Sequence, residues 1–155
     1  MAEDRLGPII ESAVDRLLST AASSGYFSDS VSYEPKSAPG PGLFFSTWIG
    51  DIKPIAAQSG LDVTSCRVEM NCRVYRNMIT EPQNTIDIEL AKASSYLLAQ
   101  LTGDFGIDGA YIDLLGAHGE PLGTTLGYIE LDKSMFRVAD TVVPFIADDV
   151  FDQEV

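Results

Sequence analysis

The stretch Ser65 to Met78, S-C-R-V-E-M-N-C-R-V-Y-R-N-M, alternates between two kinds of side chain. Cys66, Val68, Met70, Cys72 and Val74 fall on one parity; Arg67, Glu69, Asn71, Arg73 and Tyr75 fall on the other. Successive side chains of a strand point to opposite faces, so the pattern predicts one dry face and one polar, charged face. At about 3.3 Å per residue the strand would run roughly 45 Å, where about 5–6 residues is usual. A strand of that length needs neighbours along its edges and a cover over its dry side.

The rest of the chain offers both. Ile10, Val14, Leu17, Leu18 and Ala21 recur at helical spacing, predicting an amphipathic helix over 8–24 with Pro8 in its first turn and Gly25 just past its end. Its polar face is acidic, unlike a membrane-surface helix. Alternation predicts a strand over 27–34 and a second over 43–55, separated by the loop Glu34 to Gly42, whose three prolines and two glycines exclude regular structure. Phe44 and Trp48 share one face of the second strand and Phe45 and Ile49 the other, so the strand is expected either to be covered on both sides or to extend past the domain's own core. Trp48, the single tryptophan, suits either a core or an interface anchor. With residues 56–64 as a turn, 43–55 and 65–78 form a long antiparallel hairpin.

Ile86, Leu90, Ala93, Leu97 and Leu101 predict a second helix to about Thr102, with Thr85 as N-cap and Asp87 and Glu89 in its first turn. This helix is the expected cover of the cysteine face. Strands are expected at 110–115, 125–131 and 135–146, the last two forming a hairpin across Asp132-Lys133, with an acidic tail from about 148 to 155 that projects. The predicted fold class is α+β: a single domain over 1–155, order α-β-β-β-α-β-β-β, mainly antiparallel, with two helices on one face.

The 155 residues carry 23 acids against 10 bases, a net charge of −13. Tight binding to a phosphate backbone needs clustered Lys and Arg, so this balance argues against it. No window approaches the about 20 apolar residues of a membrane span, and the acidic N-terminus does not read as a secretory signal. Cys66 and Cys72 would lie about 20 Å apart in one strand, far beyond disulfide reach, and read as buried small hydrophobes.

No catalytic apparatus emerges from the residues. His118 is the only histidine, in a glycine-flanked loop without a second His to build a zinc site. Ser24 and Ser59 precede glycines without the nucleophile-elbow pattern. Asp104/Asp108 and Asp148/Asp149 do not match a calcium loop and read as solvated charge. No cofactor or metal is expected. Arg67, Arg73 and Arg76 are three of the ten bases, gathered within ten residues of an acidic chain. Arg67 and Arg73 share a face with Glu69, and that face is either solvated or meets the acids of a neighbouring copy through Arg–carboxylate pairs.

The segments Y-E-P-K-S-A-P-G-P-G-L, V-Y-R-N-M-I-T-E-P-Q-N-T-I-D, L-T-G-D-F, I-D-L-L-G-A-H-G-E-P-L and Y-I-E-L-D-K-S-M-F-R-V occur in that order. Together they resemble tail terminator proteins of long-tailed bacteriophages that infect actinobacteria, over most of residues 25–150. The resemblance implies a non-enzymatic virion subunit that assembles, in the host cytoplasm, as a ring of identical copies, expected to be a hexamer. Such a ring caps the head-proximal end of the tail tube, stops polymerisation of the tube protein and presents the surface for a head-completion or neck protein. DNA would pass through without specific binding, helped by an acidic lumen. The hairpin 43–78 and the loop 34–42 would be the parts that reach neighbours. The residues expected at subunit or tube contacts are Arg67, Arg73, Arg76, Trp48, Phe44 and Lys36. Other readings are a different ring-forming neck protein, a small enzyme or ligand-binding domain, or an acidic DNA mimic.

Overall fold

The computed structural model describes residues 5–55, 63–79, 83–103, 105–107 and 109–152. Its elements follow the predicted order: α1 (Leu6–Ser24), β1 (Asp29–Val31), β2 (Phe44–Ile55), β3 (Val63–Asn77), α2 (Ile86–Thr102), β4 (Ala110–Ile112), β5 (Gly123–Leu131) and β6 (Ser134–Asp152). The fold is α+β, with strand order β1-β2-β3-β6-β4 and β5 beside the first half of β6. All pairings are antiparallel except β1 with β2. A parallel pair needs a long connection, and the Pro/Gly loop provides it.

The opening strand lies between β2 and β6 and keeps its predicted parity. Cys66, Val68, Met70 and Val74 are at most 1% exposed, and they pack with Phe45 and with Val143 and Phe145 of β6. Helix α2 covers this face through Leu90, Ala93, Leu97 and Leu101, and α1 adds Ala13, Leu17 and Ala21. Both cysteines are buried free thiols, and burial pushes the Cys72 thiol up to about 12.

The opposite face also carries apolar packing. Phe44, Tyr75, Phe136 and Val138 form a second buried cluster, and Val31 and Ala38 pack against it. Phe44 meets Tyr75 edge-on at 5.7 Å between ring centroids. The Pro/Gly loop therefore folds back over its own sheet, where the Ala38 N–H donates to Asp132 Oδ2 at 2.7 Å.

Five expectations change. The first strand is three residues, because only Asp29–Val31 run alongside β2. β4 ends at Ile112, since Asp113 turns its carboxylate inward and Leu114 and Leu115 leave the sheet. Thr85 occupies the N-cap position of α2 without a side-chain cap, its hydroxyl lying 3.5 Å from Glu89 Oε1 instead. The projecting acidic tail from 148 is replaced by strand: β6 runs to Asp152 opposite Val63, and Val150 is 3% exposed in the core. Of the turn expected at 56–64, Val63 and Thr64 belong to β3 instead, and 56–62 lie outside the described residues.

The β5–β6 connection is a two-residue turn in which Asp132 (φ 50°) and Lys133 (φ 64°) are both left-handed. Asn-Gly or Asp-Gly usually fills such a turn, because a side chain costs about 1–2 kcal/mol there. Lys133→Gly is expected to raise stability by about 1 kcal/mol, read as a higher denaturation midpoint at unchanged slope. No change in midpoint would mean that Lys133 is not strained.

Candidate functional site

The cations singled out in the sequence lie along the sheet rather than in one cleft. Arg67 extends from the outer face of β3, yet it is 3% exposed. Its Nε donates to Asp113 Oδ2 at 3.0 Å and Nη1 to Glu69 Oε1 at 2.7 Å, while Nη2 donates to the Glu120 carbonyl. Asp113 also accepts the N–H groups of Ala117 at 2.9 Å and His118 at 3.2 Å. A side chain at Gly119 would collide with the guanidinium, so only a glycine lets the backbone pass this close. Burial by itself would raise the Asp113 carboxyl, but Arg67 and the two N–H groups outweigh it and hold that carboxyl below its ordinary range. Arg67 is thus the peg on which the 113–122 loop hangs, and it has no surface to offer a neighbour.

Arg73 faces Asp140 directly across the β3–β6 ladder, with Nε to Oδ1 at 2.5 Å. Its guanidinium lies 5.3 Å from the Trp48 ring and 5.8 Å from Tyr75, and Glu34 at the mouth of the Pro/Gly loop is 3.7 Å away. Trp48 is half-buried beneath this arginine, and Phe44 belongs to the second core. Burial opposes the charge on Arg73, and Asp140 more than offsets that. Arg76 has the opposite parity and turns to α2, where Nε lies 3.1 Å from Glu89 Oε2. Lys36 is exposed on the loop.

All three arginines are engaged by carboxylates of their own chain. A charge reversal at Arg73 therefore tests the fold before it tests assembly. Arg73→Glu is expected to cost about 2 kcal/mol, less than a fully buried pair because Asp140 is 43% exposed. Adding Asp140→Arg should restore at least half of that loss in a denaturant titration. An unchanged midpoint in the single variant would mean that the pair contributes nothing.

Sequence reasoning missed two features. Arg137 donates from Nε to Asp87 Oδ1 at 2.9 Å and lies 4.3 Å from the Tyr128 ring, tying the start of α2 to β5–β6. Lys92, exposed on α2, lines a groove of about 480 Å³ with Arg76, Glu89, Tyr26, Phe27 and Leu43. A helical projection of 86–102 would have placed Lys92 and Glu89 on one side of α2, but not beside Arg76.

The His118 side chain is exposed, and its backbone N–H serves Asp113. The Ser24 hydroxyl donates to the Ala21 carbonyl as a helix-end bond. No group of three His, Cys, Asp or Glu among the described residues could hold a metal ion. Ser59, Asp104 and Asp108, and the side chain of Asp149, lie outside the described residues. No helix is long and apolar enough to cross a membrane, among the described residues.

No family model matches the chain, and no curated protein matches it. Solved structures do. One, of a protein whose description names no function, is 13% identical with a TM-score of 0.54, covering 93% of this chain and 96% of that chain. At that identity the likeness concerns the fold alone. The α+β architecture is shared over nearly its whole length.

Proposed function

We propose that this protein is a structural subunit of a long-tailed phage that caps the head-proximal end of the tail tube as a ring. It would stop addition of tube protein there and give the head-completion protein a surface to join. The observation that carries this reading is the open edge of the sheet. Beyond β1, the described part of β2 pairs only with β3, and Gly50 to Pro54 are exposed, with Ile52 at 49%. A bulge at Gly50, the charges of Asp51 and Lys53, and Pro54 blunt that edge. Strand-on-strand growth is discouraged there, while Ile52 remains available for side-chain packing. A subunit that must contact neighbours without extending a polymer needs that combination. The resemblance of the ordered segments to phage tail terminators is the other support.

The proposal is tested by adding the chain in small amounts to polymerising tube protein. Shorter tubes in a sedimentation profile are expected. Tubes as long as those formed without it would count against the cap.

A further inference from the structure

The two edges of the sheet are built differently. The β2 edge carries its bulge, Asp51, Lys53 and Pro54. Most of the other edge is β5, Gly123–Leu131, whose ladder with β6 runs unbroken for nine residues. It holds no proline and no lysine, and its single charge is Glu130. Among the described residues no strand lies along its outer side. An open edge of that length is a template for another strand unless something blocks it. The two-residue turn makes Leu131 and Ser134 a hydrogen-bonded pair. Odd-numbered residues of β5 therefore bond to β6, and Thr124, Leu126, Tyr128 and Glu130 turn their N–H and C=O groups outward.

Gly127, at the middle of β5, has no cause within its own chain. Its φ is not positive, its strand has no bulge, and a Cβ there would meet only Val138 Cγ2 at an ordinary 4.0 Å. A glycine inside a strand weakens it, and without an internal cause it marks a close approach by another backbone. Laid antiparallel on a second β5 about a two-fold axis through Gly127, the strand matches itself. Leu126 falls opposite Tyr128 and Thr124 opposite Glu130 as hydrogen-bonded pairs, which engages all four outward residues. Tyr128, 63% exposed in the single copy, gains an aliphatic neighbour, and Thr125 faces Ile129. The two glycines form the central pair, of the kind in which Cα atoms come within about 4.5 Å. The two Glu130 residues stay about 20 Å apart, so like charges do not meet. Past the paired segment, the same register sets Lys133 of each copy level with Pro121 of the other, next to Glu120. Lys133 and Glu120 are exposed and have no ion-pair partner among the described residues. A lysine in a turn that favours glycine and an acid on the 113–122 loop thus become complementary between copies.

We propose that β5 pairs with β5 of a second copy, antiparallel about Gly127, joining the two sheets into one. Such a contact closes after two copies and does not propagate. It goes beyond the ring reading and does not rest on it, because the neighbour contact proposed for the ring lies at the β2 edge, on the opposite side of the sheet. The test uses the full chain alone, without tube protein, carrying Gly127→Cys or Thr125→Cys under mild oxidation. Position 127 meets itself across the axis within disulfide reach, whereas the two 125 positions lie about 14 Å apart. Cys66 and Cys72 are buried and do not compete. Gly127→Cys is expected to give a disulfide-linked dimer on the order of tenfold more abundantly than Thr125→Cys. Equal yields, more dimer from Thr125→Cys, or no dimer from either would overturn the pairing. Unmodified chain should sediment as a dimer at about 1 mM, and a monomer there would overturn the pairing as well. The tube-length assay reads the cap separately, so either proposal can fail while the other stands.

Discussion

Arg67→Met is expected to destabilise the protein by about 3–5 kcal/mol, the usual loss when one partner of a buried ion pair is removed. It strands Asp113, 6% exposed, with only the Ala117 and His118 N–H groups, and it leaves the Glu120 carbonyl without its donor. The loss should show as a lower denaturation midpoint together with faster amide exchange in 113–122. Asp113→Asn should lose less, because the amide oxygen still accepts from backbone N–H groups. The pH dependence follows from the depressed Asp113 carboxyl. Its stabilisation is fully present above the unfolded value near 3.9 and is lost as pH falls through the lower folded value. Wild-type stability should therefore fall more steeply below about pH 4 than that of Asp113→Asn. Parallel acid titrations of the two proteins would show that Asp113 is not the group responsible.

Phe136→Ala is expected to cost about 3 kcal/mol in the isolated chain, near the loss for a fully enclosed aromatic. Phe136 is 1% exposed, packed edge-on at 6.3 Å from Tyr75 on the sheet face away from the helices. That face reads as a contact surface in an assembly if its aromatics are bare. Here they are covered by the chain's own loop, so Phe44, Tyr75 and Phe136 act as core. Phe145→Ala, beneath the helices, provides the comparison at 0% exposed. A loss under about 1 kcal/mol at Phe136 against several at Phe145 would mean that the second cluster is not a core.

The main layers were legible because they rest on local periodicity. The cysteine parity of β3 and the leucine stripe of α2 each identify a buried face without knowledge of its partner, and both faces meet in the structure. The end of β6 was not legible. Asp148 and Asp149 break the apolar pattern, while the pairing with β3 that keeps 147–152 in the sheet is set far away in sequence. The role of Arg67 was hidden for the same reason. Its partner Asp113 is 46 positions on, and the bond depends on Gly119 letting the loop close over it. The arginines stood out by scarcity, a composition signal that marks residues under constraint without saying whether the constraint is internal.

We propose that this chain forms a ring on the head-proximal end of a tail tube. Electron microscopy of tubes assembled from purified tube protein, with and without this chain, tests it most directly. Shorter tubes are expected in its presence, each with ring-shaped density at one end only. Tubes of unchanged length with bare ends would contradict it.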